Sequence, residues 1–217
     1  MAKGDSTGEG NTVSTAIQEQ DAVDTGDLPI VLQLQPVVNL SQDEFFEFCQ
    51  VNRELRIERS AQGELIIMSP LGAESGGYES EIIAQVRNWA KRDGTGKTFS
   101  SSTGFHLPNG ADRSPDTAWI RLSRWNGLTA EERKKFPPLC PDFVVELRSE
   151  SDRLRTLQAK LQEYIDNGAE LGLLIDRTKR QVHVYRPGRE AEILDDPQSV
   201  ACDPTLPGFA LDLREIW

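Results

Sequence analysis

A chain of 217 residues fits one domain of ordinary size and is long enough to bury a hydrophobic core. Its three cysteines lie far apart without a CxxC pair, which argues against a disulfide framework or a structural zinc site and favours a reducing cytoplasm. Two histidines are too few for a multi-histidine metal site, and no apolar run approaches the ~20 residues that span a bilayer, so no membrane partner is expected.

The net charge of −11 is unevenly distributed along the chain. Residues 1–47 carry nine acidic side chains and one basic side chain. Between Arg87 and Lys160 the balance reverses, with fourteen basic side chains against nine acidic ones. The overall acidity therefore does not exclude a partner that carries phosphate groups.

The first 27 residues are polar, rich in Gly, Ser, Thr and Asp, and almost free of large apolar side chains. Such a composition cannot bury enough apolar surface to offset the entropy of ordering, so it predicts a disordered leader over residues 1–27. The segment also lacks the apolar stretch of a secretory signal. Residues 28–217 are predicted to form one domain.

Three predicted elements open the domain. In "NLSQDEFFEFCQ", Ser41 with Glu44 three residues later is the signature of a helix start. The stretch "LRIERSAQGELIIMSP" predicts two strands around a turn at Gln62-Gly63. Apolar residues from Tyr78 to Ala90 recur at helical spacing.

The second half of the chain alternates between strands and helices. Asn109-Gly110 predicts a turn between "TFSSSTGFHL" and "RSPDTAWIRL", and "TAEERKKFPP" predicts a short polar helix or loop. In "SESDRLRTLQAKLQEYIDNG" an amphipathic helix is predicted, capped by Ser151 or Asp152 and ended by Asn167-Gly168. "LGLLID" and "QVHVYRPG" predict a final hairpin. This order indicates an α/β (α+β) domain with a central mixed sheet flanked by helices.

The strand "CPDFVVELRS" carries an unusual set of charges for so apolar a segment. Because side chains alternate across a strand, Asp142, Glu146 and Arg148 share one face. Asp142 and the earlier Asp116 each follow a proline at a strand start, where aspartate is a common structural residue. Glu146 lies in mid-strand between Val145 and Leu147, so its carboxylate needs an arginine, a backbone donor or a metal ion.

Geometry favours Asp116 with Glu146 as the pair that could share a metal ion. Four residues along a strand place Asp142 about 13 Å from Glu146, too far for one ion, whereas a neighbouring strand can bring Asp116 within about 5 Å. Two such carboxylates suit Mg²⁺, which usually keeps several waters. Lys160 lies at the border of the predicted apolar stripe and could either extend into solvent or reach Glu146.

Three segments carry a resemblance to a known family: "ADRSPDTAWI", "RWNGLTAEERKKFPPLCPDFVVELRSESDRLRTLQAKLQEYIDNGAELGLLID" and "RQVHVYRPG". They closely resemble the Uma-type family of proposed restriction endonucleases, placed in the PD-(D/E)XK nuclease superfamily. The resemblance runs from about residue 28 to the C-terminus and is densest between Asp112 and Gly188. It implies a restriction-endonuclease-like core.

The resemblance also implies roles for individual residues. Asp116 and Glu146 correspond to the two motif carboxylates that bind Mg²⁺ or Mn²⁺. Arg148 occupies the place of the superfamily lysine, so the resemblance offers Lys160 as a relocated catalytic lysine. Glu81 occupies the place of a glutamate that the first core helix often contributes.

Three functions remain open at this stage. The first is a metal-dependent DNA endonuclease, in which Asp142 supports the metal site and Arg148 contacts phosphate or pairs with an internal carboxylate; related nucleases extend this to a homodimer. The second is a catalytically inactive module of the same fold that binds DNA or protein. The third is a hydrolase of a small phosphodiester or nucleotide, which a cleft too narrow for duplex DNA would favour.

Overall fold

The computed structural model describes Met1, residues 29–70 and residues 72–217. Apart from Met1, the predicted disordered leader and its boundary at residue 28 lie outside the described residues. The described part holds four α-helices: α1 Gln42–Val51, α2 Ala73–Asp93, α3 Leu122–Gly127 and α4 Leu154–Asp166. Its strands are β1 Ile30–Leu32, β2 Arg56–Arg59, β3 Leu65–Met68, β4 Gly96–Ser100, β5 Phe105–His106, β6 Asp112–Arg113, β7 Thr117–Arg121, β8 Phe143–Arg148, β9 Leu171–Asp176, β10 Gln181–Tyr185, β11 Glu192–Asp195, β12 Ser199–Ala201 and β13 Ala210–Asp212.

A six-stranded mixed sheet forms the centre of the fold, in the order β11-β10-β9-β8-β7-β4. Strands β8 and β9 are parallel, while the other neighbours in this sheet are antiparallel. A parallel pair needs a crossover connection, and α4 provides it. The predicted central mixed sheet flanked by helices is confirmed.

Helices α2 and α4 cover opposite faces of this sheet. Phe143, Val145 and Leu147 of β8 pack in the core cluster that contains the α2 side chains. Val144 packs in the other cluster, with the apolar residues of α4. Because strand side chains alternate, Glu146 falls on the same face as Val144, the face that α4 covers.

A second, antiparallel sheet has the order β1-β3-β2-β6-β5. Strands β2 and β3 form the predicted hairpin, and Gly63 in its turn has φ +83°, which glycine adopts without a steric penalty. Ahead of them, Ser41 and Glu44 form the predicted capping box at the start of α1. This sheet matters for function because β2 and β3 face α4 across a cavity.

Two local predictions differ from the structure. Helix α4 begins at Leu154 without a side-chain cap, so the prediction that Ser151 or Asp152 caps it is wrong. The Asp152 carboxylate instead accepts hydrogen bonds from the backbone N–H and the hydroxyl of Ser149, and so closes the preceding turn. The Asn109-Gly110 turn joins β5 to β6, whereas β7 pairs with β4 and β8.

No helix in the described part of the chain is long and apolar enough to cross a membrane.

The small sheet of β12 and β13 had no counterpart in the sequence-based prediction. It packs with α2 through the apolar cluster on that side of the central sheet.

Candidate active site

Two carboxylates meet at the end of the central sheet. Strand β7 runs antiparallel to β8 with Thr117 opposite Val145, and one further step of this register sets Asp116 opposite Glu146. Directly opposed residues have Cβ atoms about 4.5–5.5 Å apart. Asp116 is 9% exposed and Glu146 is 3% exposed. The structure thus brings together the pair that the sequence singled out.

Two donors fix the orientation of the Asp116 carboxylate. The backbone N–H of Leu147 donates to its Oδ2 at 2.8 Å. Nη2 of Arg56 donates to its Oδ1 at 3.1 Å. The first contact ties the side chain of one strand to the backbone of the other, so the position of Asp116 relative to Glu146 is set by the sheet itself.

Lys160 reaches the pair from α4. Its Nζ lies 2.8 Å from Oε1 of Glu146 and 2.9 Å from Oε1 of Glu58, and its side chain is 10% exposed. Tyr164, one helical turn later, donates its hydroxyl proton to the same Glu146 oxygen at 3.1 Å. The alternative in which Lys160 extends into solvent is therefore wrong, because two buried carboxylates hold the ammonium group inside.

Glu58 on β2 is the site residue that the sequence analysis missed. It is 2% exposed and accepts hydrogen bonds from the backbone N–H of Ser114 at 3.0 Å and from Nη1 of Arg113 at 3.2 Å. Its strand reads Arg-Ile-Glu-Arg and is mostly charged, so it lacks the signal that identified Glu146, a glutamate inside an apolar strand. Its partner Lys160 lies 102 positions away, and nothing in the sequence paired the two.

The carboxylates of Glu146 and Glu58 have opposite electrostatic environments. Burial, together with repulsion from Asp116 and Glu58, raises the pKa of Glu146 to about 8 despite the nearby Lys160. Burial also acts to raise the pKa of Glu58, but the charges of Lys160 and Arg113 outweigh it and lower that pKa to about 2. Glu58 is thus the permanent counterion of Lys160, while Glu146 is the group that a further cation would stabilise.

The structure gives Arg148 the second of its two predicted contacts. Arg148 lies opposite Asp176 in the β8–β9 register, and its Nη1 donates to Oδ2 of that fully buried carboxylate at 2.8 Å. Its Nε donates to the backbone carbonyl of Asp152. The guanidinium group is thus an internal partner of a carboxylate rather than a phosphate contact.

This pairing predicts that Arg148 contributes to stability. Replacing it by alanine leaves Asp176 buried without a cation, and we expect the Arg148→Ala variant to lose about 3 kcal/mol in free energy of unfolding by urea denaturation. The double variant Arg148→Ala/Asp176→Asn should recover part of that loss. Equal stability of wild type and Arg148→Ala would contradict the assignment.

Asp142 does not join the site. Its carboxylate accepts from the backbone N–H of Arg121 at 2.9 Å and from Nη1 of Arg124 at 3.0 Å. Both partners lie at the junction of β7 and α3, at the far end of β8 from Glu146. The predicted supporting role of Asp142 at the metal is therefore corrected to a structural one.

Glu81 also lies away from the site. Its Oε1 accepts a hydrogen bond from Gln85, which in turn donates to the backbone carbonyl of Asp212. The buried glutamate of α2 is Glu79, and its pKa is raised by burial and by the nearby Asp116. Two residues along a helix turn the side chain by about 200°, so Glu79 and Glu81 lie on different faces of α2, and the predicted role of Glu81 at the site is wrong.

A cavity of about 690 Å³ lies above the two carboxylates and Lys160. It separates β2 and β3 of the second sheet from the N-terminal half of α4 and the end of β8. The residues that line it and bear on the chemistry are Arg56, Glu58, Ile66, Met68, Arg113, Asp116, Glu146, Ser149, Asp152, Arg155, Thr156, Leu157, Lys160 and Glu163.

The donor set fits a magnesium-like ion. Among the described residues there is no group of three or more His, Cys, Asp or Glu side chains placed to hold a metal. Asp116 and Glu146 supply two carboxylates, and Mg²⁺ is usually held by one or two carboxylates with several waters retained. The hydrogen bonds that Glu146 accepts from the described residues reach Oε1, which leaves Oε2 for a cation.

The chain is similar to known proteins in sequence and in fold. Residues 42–214 match the model of the Uma2 family, described as "Putative restriction endonuclease". No curated protein matches the chain. A crystal structure from Anabaena variabilis ATCC 29413, titled a "putative nuclease belonging to DUF820", shares the fold with a TM-score of 0.66 at 20% sequence identity, over 82% of this chain and 97% of that one.

Proposed function

The chain belongs to the Uma2 family of restriction-endonuclease-like proteins, and from this premise we propose that it is a divalent-metal-dependent endonuclease that hydrolyses DNA phosphodiester bonds. One observation carries the proposal. Asp116 and Glu146 face each other across adjacent strands, and Lys160 contacts Glu146 at 2.8 Å. Paired carboxylates can hold a metal ion for phosphodiester hydrolysis, and a buried lysine beside them can orient water and offset charge on the phosphate.

In this proposal, Asp116 and Glu146 hold Mg²⁺ or Mn²⁺. The ion, when bound, supplies Lewis-acid activation of water and offsets the charge that develops on the phosphate. Asp116 is kept in position by the Leu147 N–H, which donates to one carboxylate oxygen, and by the Arg56 guanidinium group, which contacts the other.

Lys160 acts as an ammonium group. Burial alone would lower its pKa, but the adjacent Glu146 and Glu58 carboxylates raise it, so the side chain is protonated at neutral pH. A protonated lysine cannot accept a proton from water, but the N–H that Glu58 and Glu146 leave free can orient the attacking water or donate to a phosphate oxygen. In this proposal, α4 supplies the catalytic lysine. The resemblance places that lysine two residues after Glu146, at the position where this chain has Arg148.

Glu58 is proposed as the positioning residue for Lys160, since it touches the lysine rather than the reacting atoms. We expect Glu58→Gln to lower kcat about tenfold with little change in KM, because the lysine loses one charged anchor and its orientation loosens. In the pH–rate profile, activity on the alkaline side should fall at a lower pH than in wild type, because removal of a neighbouring anion lowers the pKa of Lys160. A Glu58→Gln enzyme with unchanged kcat and pH profile would contradict this role.

The proposal is tested by incubating the purified chain with plasmid and single-stranded DNA in Mg²⁺, Mn²⁺ or EDTA. Cleavage that requires the metal supports it. DNA binding that depends on salt but not on EDTA, without cleavage, would instead favour the inactive binding module. A homodimer stays a prediction, and sedimentation equilibrium measures it directly.

A further inference from the structure

The reactive groups are buried at the floor of a cavity. Asp116 and Glu146 are 9% and 3% exposed, and the Lys160 side chain is 10% exposed. The cavity above them measures about 690 Å³, within the range of about 300–1,000 Å³ typical of pockets that enclose small ligands.

The cavity walls suit the face of an unstacked base. Ile66 and Met68 of β3 lie on one side, and Leu157 of α4 contributes a further apolar surface. Ser149 and Thr156 add hydroxyl groups at the same cavity. Enzymes that accept an unpaired nucleotide read it in this way, with apolar contacts to the base face and hydrogen bonds to its edge.

The charge balance of the cavity argues against a run of duplex phosphates. Its lining holds four basic side chains and five acidic ones. Three of the four, Arg56, Arg113 and Lys160, already contact carboxylates. Duplex binding depends on many lysines and arginines that each neutralise a phosphate, and this lining can serve one phosphate together with a metal ion.

We infer that the substrate of this site is a phosphodiester between unpaired nucleotides. A base lies against Met68 and its neighbours on the cavity wall, and the adjacent phosphate reaches Asp116 and Glu146. A single strand, an overhang at a duplex end and a free dinucleotide all present this chemistry. The inference rests on the proposed function and narrows its substrate.

The experiment compares one sequence in four forms: a labelled single strand, a blunt duplex, a duplex with a single-stranded overhang, and a dinucleotide with one phosphodiester. We expect the single strand to be cut at least about tenfold faster than the blunt duplex, a difference of about 1.4 kcal/mol, and the overhang to be cut in its unpaired part. Cleavage of the dinucleotide as well as the single strand would support the inference and show that one phosphodiester between two nucleotides is a sufficient substrate. Equal or faster cleavage of the blunt duplex overturns the inference and leaves the proposed function standing.

A binding measurement decides the inference separately from catalysis. Fluorescence anisotropy of the same strands with Ca²⁺ in place of Mg²⁺ should show at least about tenfold tighter binding of the single strand than of the duplex, about 1.4 kcal/mol. Tighter binding of the duplex overturns the inference whether or not any substrate is cut. Absence of cleavage in all four forms, with the single-strand preference retained, overturns the proposed function alone.

A variant of the cavity wall tests where the base lies. Met68→Ala should weaken single-strand binding about fivefold and raise KM with kcat unchanged, because it removes apolar contact without touching the carboxylates. The matched control is Ile193→Ala, an exposed apolar residue on β11 outside the cavity. Equal affinities of the two variants for the single strand would overturn the placement of the base.

Discussion

Replacing Glu146 by glutamine is expected to lower the rate of metal-dependent DNA cleavage by more than about 100-fold. Mutation of a residue that only hydrogen-bonds to a metal ligand already lowers metal affinity or activity about 10- to 100-fold, and Glu146 is proposed as a ligand itself. Glutamine keeps the shape of the side chain and can still accept the Tyr164 hydroxyl. What it removes is the negative charge that the ion needs. Asp116→Asn should give a loss of the same order, since the two carboxylates act on one ion.

The Glu146→Gln variant should fold. Burial and repulsion from Asp116 and Glu58 disfavour the charged form of Glu146, so a neutral amide relieves a cost of folding. Thermal melting should therefore give a midpoint at least as high as that of wild type, while calorimetry should show weakened Mn²⁺ binding. The matched control is Glu192→Gln, an exposed glutamate on β11, which should keep full activity. Full activity in Glu146→Gln would remove the metal site from the proposal.

The carboxylate pair was predictable because it depends on local rules. Both strands begin after a proline and their side chains alternate, so Asp116 and Glu146 can meet if the strands are neighbours in a suitable register, and the structure has that register. The same alternation placed Glu146 on the face that α4 covers. Local signals likewise predicted the capping box at Ser41 and the β2–β3 hairpin.

The remaining parts of the site depend on how distant segments pack. Glu58 belongs to the second sheet, and its approach to Lys160 follows from how that sheet faces α4. Helix α2 begins at Ala73, and its rotation brings Glu79 rather than Glu81 toward Asp116. Periodicity fixes which residues share a face of a helix, but it does not say which polar residue at the edge of that face meets a polar neighbour.

The arginine at position 148 has a structural role that a lysine would fill less well. The position after Glu146 on the same face lies opposite Asp176, a fully buried carboxylate that needs a permanent cation. Arginine stays protonated and offers several donors, so Arg148 can serve Asp176 and the Asp152 carbonyl together. Lysine reaches Glu146 from α4 instead, where its single charged group fits between two carboxylates.

Lys160→Gln is accordingly the second large effect that we expect. Loss of the ammonium group should lower kcat by about 10²- to 10⁴-fold, the range for a positioned group that transfers or directs a proton. Metal binding should persist, because Asp116 and Glu146 remain, and calorimetry with Mn²⁺ separates this variant from Glu146→Gln. Glu58 would then keep only Arg113 as a cationic partner, so the variant should also unfold at a lower temperature.

A second change keeps the experiment interpretable despite that destabilisation. In Lys160→Gln/Glu58→Gln both partners of the ion pair are neutral, so stability should recover while activity stays low. An exposed lysine on α2 provides the control, and Lys91→Gln should leave both properties unchanged. If the double variant regains activity together with stability, Lys160 has only a structural role and another group must direct the water. If activity stays low in a stable protein, the catalytic lysine of this chain lies on α4.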